Sequence, residues 1–230
     1  MHRAVKRFAA LFLALCLAPL FPLRAAALPA VIYRHASGDG TRRVALTFDD
    51  GPHPRYTPQI LDILAEYGVK ATFFVVGRNV GYHPEIVRRA MAEGHEIGNH
   101  THHHYRTAKI ERAEVLEDIL ECQEELSLEL GIVCRFFRPP EGVFDEELRH
   151  FCEEQGLTIV MWSVDTRDWA HTKPQEIVKN VRENVRDGSI ILMHDFIGKK
   201  SPTPTALRQL IPMLQKSGYE FVTVSELLRG

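Results

Sequence analysis

Short apolar runs alternate along this chain with stretches in which apolar residues recur every three to four positions. The runs at 43–48, 71–76, 95–99, 135–138, 157–164, 189–193 and 219–222 predict buried strands. The periodic stretches at 57–67, 84–93, 110–130, 144–155, 175–185 and 205–216 predict helices. Gly68, Gly94, Gly131, Gly156 and Gly218 stand just past helix ends, and Ser225 is placed to cap a final turn. Strand and helix alternate in one run of chain with no repeat and no low-complexity linker, which predicts an α/β domain with a parallel sheet. Ile190-Ile191-Leu192 lacks polar alternation, as a strand covered on both faces does. The arrangement that fits best is a closed or nearly closed parallel (β/α) barrel of about seven strands. An open doubly wound sheet is the alternative.

The first segment breaks this pattern. Arg3, Lys6 and Arg7 precede an apolar run at 8–21, and Ala25, Ala26 and Ala27 close the segment. A basic start, a short apolar core and small residues at the end predict a secretory signal peptide over 1–27, with an uncleaved anchor as the alternative. Residues 28–41 form a polar lead-in, and 42–230 the globular domain. The product is then secreted or held in the cell envelope.

Charge narrows the partners. The formal net charge is −2, and loss of the leader's four basic residues takes it to −6. No basic surface is implied for nucleic acid, and membrane contact is expected only through the leader. Of Cys16, Cys122, Cys134 and Cys152, three follow the leader. An odd count without C-x-x-C spacing predicts core thiols, with at most one bridge.

In a parallel barrel, reactive groups gather where strands end. Five predicted strand ends carry such groups: Asp49-Asp50, His100 to His104, Arg138, Asp165 with Asp168, and His194-Asp195. Two adjacent carboxylates repel when buried, unless a cation relieves one and leaves the other as a base. Alone, Asp49-Asp50 reads equally well as a solvated turn. His100 and His104 sit four apart, which on a helical turn places both imidazoles on one face, as a metal pair requires. His102 and His103 point elsewhere on such a turn; the bland reading is a solvated histidine-rich loop. Pro139-Pro140 before Glu141-Gly142 makes a rigid segment able to hold one N–H at a set point, although a plain strand-to-helix turn explains it as well. Asp165 to Trp169 reads either as an acid orienting a histidine or arginine, or as a capping acid beside a core aromatic. His194 is a candidate general acid or a structural histidine.

Together these clusters resemble the polysaccharide deacetylase family, of the nodulation-type chitooligosaccharide deacetylases, over about 42–228. The resemblance rests on Thr47-Phe48-Asp49-Asp50-Gly51, His100-Thr101-His102-His103-His104, Arg138-Pro139-Pro140-Glu141-Gly142, Asp165 to Trp169, and Leu192-Met193-His194-Asp195. It implies that Asp49 is the general base and that Asp50, His100 and His104 hold a divalent metal, zinc by default, with cobalt, nickel or manganese accepted. It implies that Arg138 orients the base, that the Glu141 N–H binds the oxyanion, and that Asp168 tunes the acid or braces Arg138. His194 is then the general acid, and Trp169 and Leu192 line the acetyl pocket. The implied fold is a distorted β/α barrel. Glu141 stands where the family usually has an aromatic residue, which puts sugar stacking there in doubt and would disfavour anionic polymers.

The implied activity is hydrolytic removal of N-acetyl groups from an acetylated amino-sugar polymer. Peptidoglycan is favoured over chitooligosaccharide or an exopolysaccharide, and a monomer is expected. An O-acetyl esterase acting on a xylan-like polymer and an inactive wall-binding module are the alternatives.

Overall fold

The computed structural model describes residues 30–106, 109–198 and 200–229. The leader expected over 1–27 lies outside the described residues.

Among the described residues nine strands join one sheet, and every pair of these strands is parallel. In chain order the elements are β1 (Val31–Ile32), β2 (Arg42–Asp49), α1 (Tyr56–Tyr67), β3 (Thr72–Val75), α2 (Gly77–Tyr82), α3 (Pro84–Ala92) and β4 (Glu96–Asn99). There follow α4 (Arg112–Leu130), β5 (Phe136–Phe137), α5 (Glu146–Glu154), β6 (Thr158–Val160), β7 (Val164–Asp165) and α6 (Pro174–Asn184). The chain ends in β8 (Ser189–His194), α7 (Thr203–Lys216), β9 (Tyr219–Phe221) and α8 (Val224–Arg229). The sheet runs β1-β6-β5-β4-β3-β2-β8-β7, with β9 paired to the start of β2.

Residue parity explains what faces where. On β2, Val44, Leu46 and Phe48 join the outer core, which includes Ile60, Leu64, Leu207 and Leu210 of the covering helices. Ala45 faces the other way, packed with Phe74, Phe136, Val160 and Ile190 in an inner core. Functional side chains continue this inner parity. Thr47 and Asp49 follow Ala45 by two and four residues, Leu192 and His194 follow Ile190, and Arg138 follows Phe136. The apolar plug at the base of the barrel thus dictates which polar residues emerge at its top.

Four expectations change in detail. The run at 157–164 is not one strand: β6 pairs with β5 and β1, the chain bends at 161–163, and β7 pairs with β8. This bend joins the two limbs of the ladder. The lead-in is not merely polar connection, because β1 pairs with β6 and Arg34 bridges Ser189. Helix α2 was not foreseen, since its Gly-Arg-Asn-Val-Gly-Tyr sequence is too short and too poor in apolar residues to show a period. Residues 100–104 do not form a helical turn; Thr101 and His104 have φ of 66° and 58°.

Cys122, Cys134 and Cys152 are free and buried, as core thiols. Among the described residues no helix is long and apolar enough to cross a membrane.

Candidate active site

The strand ends open into a cleft of about 350 Å³. Asp49, Asp50, His100, His104, Glu141, Trp169, Leu192 and His194 line it, as do Pro139, Gly142, Trp162 and Asp165. Of the residues given a role by the family resemblance, Arg138 and Asp168 do not line the cleft. Both lie fully buried beneath it and act on it through other groups.

Register brings the first pair together: Asp49 on β2 lies opposite His194 on β8. Asp49 is buried, and its two oxygens face different neighbours. Oδ1 accepts from Arg138 Nη1 at 2.7 Å, while Oδ2 lies 3.8 Å from His100 Nε2. Arg138 also donates to Thr47 Oγ1 (2.8 Å), Val160 O (2.9 Å) and Met161 O (3.1 Å). Its guanidinium lies over the Phe74 ring, 4.1 Å from the centroid. Burial pulls the Arg138 pKa down, and the Asp49 carboxylate works against that. The two carbonyls it holds are those of the last residue of β6 and the first residue of the bend, so one side chain both fixes Asp49 and ties the closure of the sheet.

Asp50 turns away from Asp49 by adopting a φ of 77°. Its carbonyl accepts from Asn79 Nδ2 at 2.9 Å, so the unforeseen α2 holds this backbone in place. Asp50 Oδ1 lies 3.0 Å from His104 Nε2 and 3.4 Å from His100 Nε2. It is buried and accepts no well-formed hydrogen bond. Burial pushes this carboxyl upward in pKa, but the two imidazoles outweigh it and hold it well below the carboxylate range. His100 Nδ1 is bonded to Arg138 O at 2.7 Å, which directs Nε2 toward Asp50. One donor atom from each of Asp50, His100 and His104 lies within 4.8 Å of the others. A carboxylate oxygen left without a proton donor, facing two imidazole nitrogens, is the donor set of a borderline divalent metal, and the residues fit one.

His194 Nδ1 lies 2.8 Å from Asp168 Oδ1. Asp168 also accepts from His194 N (2.9 Å) and from Thr203 Oγ1 (2.6 Å). Burial alone would depress the His194 pKa; the hydrogen bond and charge of Asp168 more than offset it and raise it to about 9. Of the two roles the sequence left open for Asp168, the contacts support tuning the acid: its partners include His194, and those of Arg138 are Thr47, Asp49, Val160 and Met161.

The segment at 139–142 carries two left-handed residues, Glu141 (φ 58°) and Gly142 (φ 70°). A Cβ on Gly142 would lie 2.6 Å from the Trp162 ring and 3.0 Å from Met161 Cε. Gly142→Ala is therefore expected to lose about 1–3 kcal/mol of stability through strain and overpacking, read as a lower denaturation midpoint in urea. The Glu141 carboxylate is not alone beside the cleft. It accepts from Arg106 Nε at 2.8 Å and lies 2.7 Å from Nη2, and these contacts hold its pKa down. The carboxylate at this rim is therefore paired with a guanidinium.

Sequence reasoning missed Asn79, Thr203 and the use of Asp195. Asp195 is buried behind Gly51, accepts from Thr57 Oγ1 at 2.5 Å, and is pushed up to about 7, by burial foremost. Only Asp195 had a local signal, its place beside His194. Asn79 and Thr203 act from 29 and 35 residues away and have none.

Comparison with known proteins agrees with this geometry. A family model described as polysaccharide deacetylase matches residues 36–160. A peptidoglycan-N-acetylglucosamine deacetylase of Bacillus cereus is 42% identical over 190 residues, covering 81% of this chain and 88% of its own length. A chitooligosaccharide deacetylase of Bradyrhizobium sp. is 39% identical over 214 residues, covering 87% of this chain and 98% of its own. Among solved structures, a peptidoglycan N-acetylglucosamine deacetylase in complex with an N-oxidanyl-benzamide superposes with a TM-score of 0.82. It is 40% identical, and the match covers 86% of this chain and 92% of that one. The matched span carries the Asp49-Asp50, histidine and Arg138 clusters on one barrel rim, and this chain belongs to the polysaccharide deacetylase family.

Proposed function

We propose that the protein is a metal-dependent hydrolase that releases acetate from N-acetylated amino-sugar polymers outside the cytoplasm, with peptidoglycan the favoured substrate. The observation that carries this reading is the cleft itself. Three residues able to hold a metal, a carboxylate with one free oxygen, and a histidine backed by Asp168 face one space large enough for an acetamido group. The names of the relatives support an amino-sugar polymer, and the basic-apolar leader supports export and cleavage. Zinc is the proposed metal, and a monomer the proposed state.

Asp50, His100 and His104 would hold the ion, which when bound polarises the acetyl carbonyl and lowers the pKa of water. Asp49 takes the proton from the attacking water on Oδ2, because Oδ1 is engaged by Arg138. The Glu141 N–H donates to the developing oxyanion. His194 is oriented through Nδ1 and gives its Nε2 proton to the departing amine nitrogen as the C–N bond breaks. Leu192 and Trp169 enclose the methyl group.

Acetate release from N-acetylglucosamine oligomers and from purified peptidoglycan, with and without zinc and a chelator, tests this. Release abolished by chelation and restored by zinc is expected. Release only from O-acetylated xylan would replace the N-acetyl reading, and release from no polymer with metal bound would remove the enzymatic one.

The acid limb of the mechanism has its own test. A general acid works below its pKa, so activity should fall as pH rises through about 9. Asp168→Asn removes the largest of the groups that raise this value and leaves burial, which lowers it, against the weaker pull of Asp49 and Asp50. The alkaline limb should then move to lower pH in the kcat profile. An unmoved limb would show that His194 is not the acid.

A further inference from the structure

A second group of metal-capable side chains lies on the far side of the histidine loop. His102 and His103 sit between the cleft ligands in sequence but do not line the cleft. One donor atom from each of His102, His103 and Glu121 lies within 4.8 Å of the other two. We propose that these three residues form a second, solvent-open site for a divalent transition ion of the zinc class, independent of the cleft.

The rings are held in place before any ion arrives. The His102 backbone N donates to Asp118 O at 3.0 Å. Its ring packs so closely on α2 that a Cβ on Gly77 would lie 2.5 Å from Nδ1. The His103 backbone N donates to both Asp118 carboxylate oxygens at 3.1 Å, and its Nδ1 lies 2.6 Å from Oδ1. Asp118 is buried. A buried carboxylate on Nδ1 orients the ring from behind, as the groups that support metal-bound histidines do. The His103 ring also stacks on Tyr105, with centroids 4.9 Å apart.

Glu121 completes the set from α4, three residues beyond Asp118 and hence on the same helix face. Its oxygens lie 3.5 Å from His102 Nε2 and 3.7 Å from His103 Nδ1, too far for good hydrogen bonds, so the carboxylate remains available. Two imidazoles and one carboxylate suit zinc, copper or nickel better than calcium or magnesium. Glu121 is half exposed, which leaves coordination positions to water and predicts weaker binding than at the buried cleft set. A bound ion would tie the loop at 102–103 to α4. His100 and His104 end that same loop.

The test isolates this site in the full chain by removing the first, in an Asp50→Ala/His104→Ala variant, followed by Co2+ and Zn2+ titration with metal analysis after equilibrium dialysis. One equivalent should still bind. Adding Glu121→Gln should weaken it more than about tenfold, as loss of a metal-site partner does, and adding His102→Gln with His103→Gln should abolish it. Should the cleft variant not fold, the same Gln substitutions in the otherwise native chain should lower total stoichiometry from two ions to one. No ion bound by the folded cleft variant, or a stoichiometry untouched by the Gln substitutions, overturns the proposal.

Discussion

Asp49→Asn is expected to lower kcat for acetate release by about 10²–10⁴-fold, the usual worth of a positioned general base. Zinc binding should persist, because Asp50, His100 and His104 keep their donor atoms. Asn preserves the shape and one acceptor oxygen for Arg138 Nη1 but cannot take a proton. The separation of the two effects is the point of the test: a metal titration reads the donor set, and single-turnover acetate release reads the base. The substitution also leaves the Arg138 cation buried without its counter-charge, so some stability should be lost, and rates must be referred to folded protein. A variant that keeps wild-type turnover would remove Asp49 from the reaction and leave the cleft a binding site.

Arg138→Met should produce the largest loss of stability of any single change at the site. Arg138 is fully buried and serves four acceptors: Asp49 Oδ1, Thr47 Oγ1 and the carbonyls of Val160 and Met161. Methionine fills much of the volume and supplies no donor, so a buried carboxylate and two carbonyls lose their partner together. Breaking a buried pair in this way costs about 3–5 kcal/mol, on the order of 10 °C in Tm for a domain of this size. Because the two carbonyls lie at the end of β6 and the start of the bend that leads to β7, loosened hydrogen-exchange protection is expected on both strands. Arg138→Lys restores the charge but cannot reproduce the planar fork, and should recover only part of the loss. A Met variant as stable as the parent would show that packing at 161–163, and not this side chain, closes the sheet.

Most of the site was legible in the sequence for a definite reason. In a parallel barrel a strand's inward parity continues into the residues at its end. The runs at 43–48 and 189–193 placed Asp49 and His194 at strand ends; being buried on both faces, they did not show which parity points inward, and the packing of Ala45 and Ile190 in the inner core decides it. The spacing of His100 and His104 pointed to a metal pair, yet for the wrong geometric reason. Two left-handed residues bring the imidazoles together where a helical turn was expected. Helix α2 left no trace, because six residues span too few turns to show a period.

What the sequence determined by itself was local and periodic: which runs are strands, which faces are buried, and which reactive groups stand at strand ends. Only the tertiary structure decided what those groups touch. Asn79 on the Asp50 carbonyl, Thr203 on Asp168, Arg106 on Glu141 and Arg138 on the carbonyls of 160–161 are contacts between residues 20 or more apart. Several of the partners are backbone atoms, identical at every position of the chain. No pattern of side chains records such a contact, because it exists only once the sheet has curled and the bend after β6 has brought its two limbs together.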